Sequence, residues 1–203
     1  AAMRSPVADQ LTDLPALHAT PAGAFWRSPS GNVETLSFDQ AALRGHDHAP
    51  VICHARAIAR RLGLDSMAAY DLLELFAFVR PAQFCLPTPR GLAQAMTLTI
   101  PETPAEMAAC LIPVADALLA ELGEREALEG RDRWARSIAR AMFDGGWPWG
   151  RLVLLALGEE DPGQPAPIKA SGLEIWRDLA EFSEHAPLPP AGQEPVSGEE
   201  ARL

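Results

Sequence analysis

The stretch Tyr70-Asp71-Leu72-Leu73-Glu74-Leu75-Phe76-Ala77-Phe78-Val79-Arg80-Pro81 leaves the fewest structural choices of any in the chain. Leu72, Leu75, Phe76 and Val79 recur at i, i+3, i+4 and i+7, which makes one apolar face of a helix. Leu73 and Phe78 widen that face until little remains for water, so the helix belongs at the centre of a core. Pro81 disfavours helix at Arg80 and fixes its end. Beyond a short loop, Thr88 supplies an N-cap hydroxyl and Pro89 a pre-set first-turn φ. A second helix therefore begins there and carries Leu92 and Met96 inward. Architecture follows from this motif; chemistry does not.

A chain of 203 residues with 48% apolar content can fill a core of its own. Its net charge of −10 argues against a strongly basic nucleic-acid-binding surface as its main business. Lys169 is the only lysine, a skew toward arginine that fits a GC-rich genome. Cys53, Cys85 and Cys110 are odd in number, widely spaced and without a C-x-x-C pair, which excludes a disulfide framework and a zinc or redox motif. An iron–sulfur cluster needs more cysteines than these. Reduced thiols, no signal pattern and no run of about 18 apolar residues lead to the expectation of a cytoplasmic protein without a membrane span.

Along the chain, residues 1–13 are polar and are expected to be disordered. Gly23 to Trp26 and Val33 to Phe38 read as two strands joined by the turn Ser28 to Asn32. Pro50 to Cys53 reads as a short buried strand, and Ala55 to Leu62 as a helix stopped at Gly63. After Pro101 the pattern is helical. Thr103-Pro104-Ala105-Glu106 is a capping box opening a helix that Pro113 bends and Gly123 closes. A second helix, about Arg131 to Phe143, is expected to pair with it as an antiparallel hairpin. Gly145 to Gly150 breaks the helix, and Leu152 to Leu157 forms a short buried one. A loop over 158–170 precedes a capped helix from Ser171 with Ile175, Leu179 and Phe182 inward. His185 to Pro195 is a proline-rich linker. Ser197-Gly198-Glu199-Glu200 is a further capping box with almost no helix behind it, so the sequence is expected to continue into another element.

Several motifs are missing. No G-x-x-x-x-G-K-(S/T) loop surrounds Lys169, and G-x-G-x-x-G, H-E-x-x-H and G-x-S-x-G are absent as well. Among the residues present, His46, His48, Cys53 and His54 are the densest set of possible metal ligands, although a polar loop leading into a strand explains them equally. Asp71 and Glu74, one turn apart, could share a divalent cation. Two-metal chemistry needs further acids, and the expected place of this pair is the exposed edge of the helix near its positive end. Arg133, Arg136 and Arg140 share one helix face and could meet phosphates or simply be solvated. Trp147 and Trp149 could stack on the bases of a single strand, or plug the end of a helical core.

Tyr70 to Pro81, continued through Pro87-Thr88-Pro89-Arg90-Gly91-Leu92-Ala93, resembles the N-terminal region of alphaproteobacterial DinG-like ATP-dependent DNA helicases, superfamily 2 motors related to the XPD group. Gly146-Trp147-Pro148-Trp149-Gly150, Glu184-His185-Ala186-Pro187 and Glu194-Pro195-Val196-Ser197 are similar to later landmarks of that region. The resemblance implies a motor using ATP and Mg2+, with its phosphate loop after Leu203, and no cofactor in this segment. A fainter likeness is to the DEDD-type exonuclease domain of some relatives, which is built on an RNase H-like sheet. Val51-Ile52-Cys53-His54-Ala55 and Asp71-Leu72-Leu73-Glu74-Leu75 carry it. The departures are plain. His18-Ala19-Thr20-Pro21 stands where the metal-binding Asp-x-Glu belongs, and alanine follows His54.

The expectation is thus an α+β fold: a small, degenerate RNase H/exonuclease-like sheet packed by a majority of helices, plus a helical hairpin. Residues 14–100 would form the exonuclease-like part, 101–184 the helical part and 185–203 a linker into a motor. Its expected function is that of an inert accessory domain of a DNA helicase, docking to its own motor or guiding single-stranded DNA through Arg133, Arg136, Arg140, Trp147 and Trp149. The alternatives are a metal-dependent nuclease remnant using Asp71 with His46, His48 or His54, and a stand-alone interaction domain.

Overall fold

A computed structural model describes residues 6–129 and 133–164, with 166, 167, 172 and 175. In chain order its elements are α1 (Pro6–Thr12), β1 (Ala16–Thr20), β2 (Gly23–Arg27), β3 (Val33–Leu36), α2 (Phe38–Asp47), β4 (Val51–Ile52), α3 (Ala55–Arg61) and β5 (Tyr70–Asp71). They continue with α4 (Leu72–Val79), α5 (Pro89–Ala95), α6 (Pro104–Ala109), α7 (Leu111–Glu129), α8 (Arg133–Asp144) and α9 (Gly150–Ala156). The fold is mixed α and β, as the sequence pattern indicates.

The five strands form one open sheet in the order β3-β2-β1-β4-β5. β1, β2 and β3 are an antiparallel meander, and β4 and β5 extend it in parallel beyond β1. β1 and β5 are the strands the sequence pattern did not separate out. Ala16, Leu17 and Ala19 on β1 are buried but too small and unbranched to read as a strand, whereas β5 is only Tyr70–Asp71, in front of a strong helical period.

Each face of the sheet has its own core. Leu17, Trp26, Leu36 and Ile52 meet Ala41 of α2 and Ile58 of α3 on one side. On the other, Ala16, Val51 and Cys53 meet α4, α5, α7, α8 and α9 in the larger cluster. That cluster takes Leu72, Leu75, Phe76 and Val79 from α4, so the opening stretch is central. It also runs without a break across residue 100, from Val51 to Leu118 and Trp149, so the 14–100 and 101–184 parts share one core. α6 lies across β1, β2 and β3.

Local chemistry sets the helix starts. Ser37 caps α2 and Thr103 caps α6, each in a reciprocal capping box with Gln40 or Glu106, and Thr88 Oγ1 accepts from the Gly91 amide to start α5 behind Pro89. Three expectations need correction. The N-terminal segment expected to be disordered is α1 from Pro6 to Thr12, because Val7 and Leu11 bury their side chains against the core. The helix expected to run from Thr103 to Gly123 is divided at Cys110, which caps α6, and α7 passes through Gly123 to Glu129; Pro113 falls in the first turn of α7, where its missing N–H costs nothing. The expected α7–α8 hairpin is replaced by a layer in which α9 packs against both. Gly150 permits this, since a Cβ there would lie 2.7 Å from Phe143 Cα.

Among the described residues no helix is long and apolar enough to cross a membrane. The segment 185–203, most of the helix expected from Ser171, the capping box at Ser197, Lys169 and the Arg133 and Trp134 side chains lie outside the described residues.

Candidate functional site

The parallel pairs Val51↔Tyr70 and Ile52↔Asp71 bring two chain segments to one end of the sheet, where β4 runs into α3 and β5 into α4. His54, between β4 and α3, has φ 66° and ψ 77°, a left-handed conformation unusual for a residue with a side chain. It turns two successive amides to one point, a backbone nest for an anion. The anion is the protein's own Asp71. Asp71 Oδ1 accepts from the His54 amide at 3.0 Å and the Leu73 amide at 3.0 Å, and Oδ2 from the Ala55 amide at 2.6 Å. One carboxylate thus caps α4 and the start of α3 together. Asp71 is 7% exposed, so its expected place on the exposed helix edge is corrected.

Glu74 is turned inward as well. Its Oε1 accepts from the Gly172 amide at 2.7 Å and its Oε2 from Trp147 Nε1 at 3.0 Å. Burial raises its pKa, partly offset by those two hydrogen bonds, and the nearby Asp71 charge raises it further. The indole of Trp149 donates to the Asp71 carbonyl at 2.8 Å and stands edge-on to Tyr70, with ring centres 5.1 Å apart. Trp147 lies 5.4 Å from Phe78. Both indoles are buried and both N–H groups are spent. Base stacking by Trp147 and Trp149 is therefore overturned: they plug the core against the first turn of α4.

The structure does not gather the expected metal ligands. His46 and His48 are exposed at the end of α2, the His54 side chain is exposed, and His54 meets Asp71 through its backbone alone. Among the described residues no group of three or more His, Cys, Asp or Glu is placed to hold a metal ion. Asp71 has most of its acceptor capacity filled by N–H groups, which leaves it a poor ligand. On β1, His18 is half-buried, and burial first, then the Arg61 charge, lowers its pKa. Cys53 is buried, and desolvation, then the Asp71 charge, pushes its thiol far up. Cys110 is pushed up to about 11 by burial. Thiols held protonated are weak nucleophiles.

Arg136 and Arg140 of α8 both reach the turn that follows α9. Arg136 donates to the Leu157 carbonyl at 2.6 Å. Arg140 donates to the Pro162 carbonyl at 2.9 Å, pairs with Glu159, lies 4.0 Å from Asp144 and sits over the Phe143 ring. These side chains hold the 157–163 turn to the helix. Sequence reasoning missed the inward turn of Glu74, and also Arg80, which grips Glu121 of α7 through Nε and a terminal nitrogen, at 2.7 Å for the closest contact, and reaches the Ala95 carbonyl. It also passed over α3, where Arg56, Arg60 and Arg61 crowd seven residues of an acidic chain; that density was the available signal.

No family model matches the chain, no curated protein does, and no solved structure does.

Proposed function

We propose that this chain is a non-motor accessory domain of an ATP-dependent DNA helicase of the DinG-like kind, built on a nuclease-like scaffold and without nuclease chemistry of its own. The observation that carries the reading is the sheet. An antiparallel meander extended by two parallel strands, with helices following β3 and β4, is the arrangement an RNase H-like ancestry leads one to expect. Within it, the strand expected to carry Asp-x-Glu carries His18 and Thr20, and Asp71 serves two helix starts. A two-metal reaction requires several free carboxylates on one cation pair. Here α6 lies across the meander strands, and the acids near β5 are consumed by backbone and indole donors. What remains is a scaffold suited to docking on a motor or steering a strand toward it. ATP and Mg2+ would belong to that motor.

Two experiments test this. Labelled single-stranded DNA incubated with the purified chain and Mg2+ or Mn2+ should stay intact; cleavage that EDTA stops would revive the nuclease reading. Sequencing the reading frame past the Leu203 codon should find a G-x-x-x-x-G-K-(S/T) loop, and its absence over roughly the next hundred residues would sink the helicase assignment.

A further inference from the structure

The loop 81–88 between α4 and α5 turns its apolar residues outward. Phe84 is 84% exposed and Leu86 56%; among the described residues, Leu43 is the one other large apolar side chain left so open. Ala82 bends the loop at φ 62°, a left-handed conformation that a side chain makes costly. The loop is nonetheless anchored. Cys85 packs on the larger core, and Leu86 lies so close to α5 that a Cβ on Gly91 would stand 2.5 Å from the Leu86 Cβ. Two large apolar side chains presented together by an anchored loop make a patch rather than scattered exposure.

Beside the patch is an open groove of about 330 Å³, lined by Leu98, Ile100, Pro101, Ala109, Cys110 and Pro113. Cys110 Sγ in its wall lies 4.0 Å from the Pro89 carbonyl oxygen, and Pro89 opens α5. Leu86 and the groove therefore meet the same first turn of α5, one through Gly91 and the other through Pro89. Roughly 150 Å³ suffices for a benzene ring, so the groove has room for a phenyl ring and an aliphatic side chain. At its exposure, Phe84 does not fill the groove of its own chain. The two rims carry opposite charge. Arg90, exposed beside the loop, has no carboxylate in ion-pair range among the described residues. Glu106 lines the groove, and Glu102 follows Pro101; both are exposed. The Glu102 and Thr103 amides occupy Glu106, which leaves Glu102 as the carboxylate for a cation. A projection with a cation and a groove with an anion lie side by side on one molecule. Two copies related by a two-fold axis satisfy both at once.

We propose that two copies of this chain pair about such an axis, Phe84 and Leu86 of each entering the 98–113 groove of the other. Arg90 of each then faces the partner's Glu102. This pairing does not depend on the helicase reading. Sedimentation velocity of the full 203-residue chain, from about 1 to about 200 μM, should show a monomer–dimer equilibrium with a Kd on the order of 10 μM. Phe84→Ser and Pro113→Arg, both at exposed positions, should each weaken it by about tenfold or more with circular dichroism unchanged. Mixed in equal amounts, these two variants should associate more tightly than either alone, because one intact loop then meets one intact groove. Arg90→Glu should weaken the pairing, and adding Glu102→Arg should restore it. A dimer indifferent to Phe84→Ser or to Pro113→Arg would overturn the arrangement, as would a mixture no tighter than its parts. A wild type that stays monomeric at the highest concentration would overturn it as well, and would leave the loop and groove to a protein of another sequence.

Discussion

Asp71 Oδ2 lies 2.6 Å from the amide nitrogen of Ala55, across a gap of 16 residues in sequence. Through that contact the first turns of α3 and α4 are held by one charge. Charge-assisted hydrogen bonds to backbone amides are among the stronger ones, and the positive ends of two helices favour the anion further. The same contact removes Asp71 from any chemistry at this end of the sheet.

Asp71→Ala should therefore destabilise the fold by about 3 kcal/mol, the loss of a cap plus buried amides left without acceptors. Asp71→Asn should cost about 2 kcal/mol, because its NH2 faces an N–H donor. Urea denaturation monitored by tryptophan fluorescence reads both. A shift in midpoint equivalent to under 0.5 kcal/mol, the ordinary size for a surface change, would contradict the double-cap account.

Glu74 gives the fold a pH signature. Burial raises its folded-state pKa above the ordinary carboxylate value. A raised folded pKa means the native state holds the proton more tightly, so the contribution is fully present below the unfolded pKa and is lost as pH rises through the folded one. The stability of the wild type relative to Glu74→Gln should accordingly improve as pH falls from 7 toward 4.5. Paired denaturation curves at several pH values check this, and a constant difference would refute it.

The cysteines should be slow. With Cys53 buried and its thiol pushed far up, and Cys110 pushed up to about 11, neither offers appreciable thiolate at pH 8. Cys85 is only partly buried and its pKa is also raised by burial, so it should react first, yet slower than a free thiol. Timed iodoacetamide labelling with peptide mapping distinguishes the three; fastest labelling at Cys53 would contradict the order.

Arg140→Ala should free the 157–163 turn from α8 and cost about 1 kcal/mol, a modest figure because the side chain is 36% exposed. Limited proteolysis should then cut near Gly158 and Gly163 sooner than in the wild type. Unchanged cleavage would mean that Arg140 does not tether the turn.

The central helix was legible because its signal is local. Leu72, Leu75, Phe76 and Val79 repeat at helical spacing whatever surrounds them, and all are buried. Thr88-Pro89 and Thr103-Pro104 were legible for the same reason, since a cap hydroxyl reaches an amide only three residues away. The strand β1 was not. Its small residues earn their burial from Trp26 and α3, not from any alternation of their own.

Sequence alone determined where α3, α5 and α6 start, which face of α4 is apolar, and that the motifs for phosphate loops and metalloproteases are lacking. It could not determine which way the polar groups of the first α4 turn face. Glu74 finds Trp147 at a sequence separation of 73, and the Asp71 carbonyl finds Trp149 at 78. A carboxylate at the edge of an amphipathic helix is exposed or buried according to what packs above it, and only the tertiary structure places two indoles there. The arginines divide on the same ground. Arg136 and Arg140 of α8 face a returning turn with carbonyls and a carboxylate to bind, while no carboxylate among the described residues pairs with those of α3. Local spacing sets the face of a helix; the chain folded over that face sets its partner.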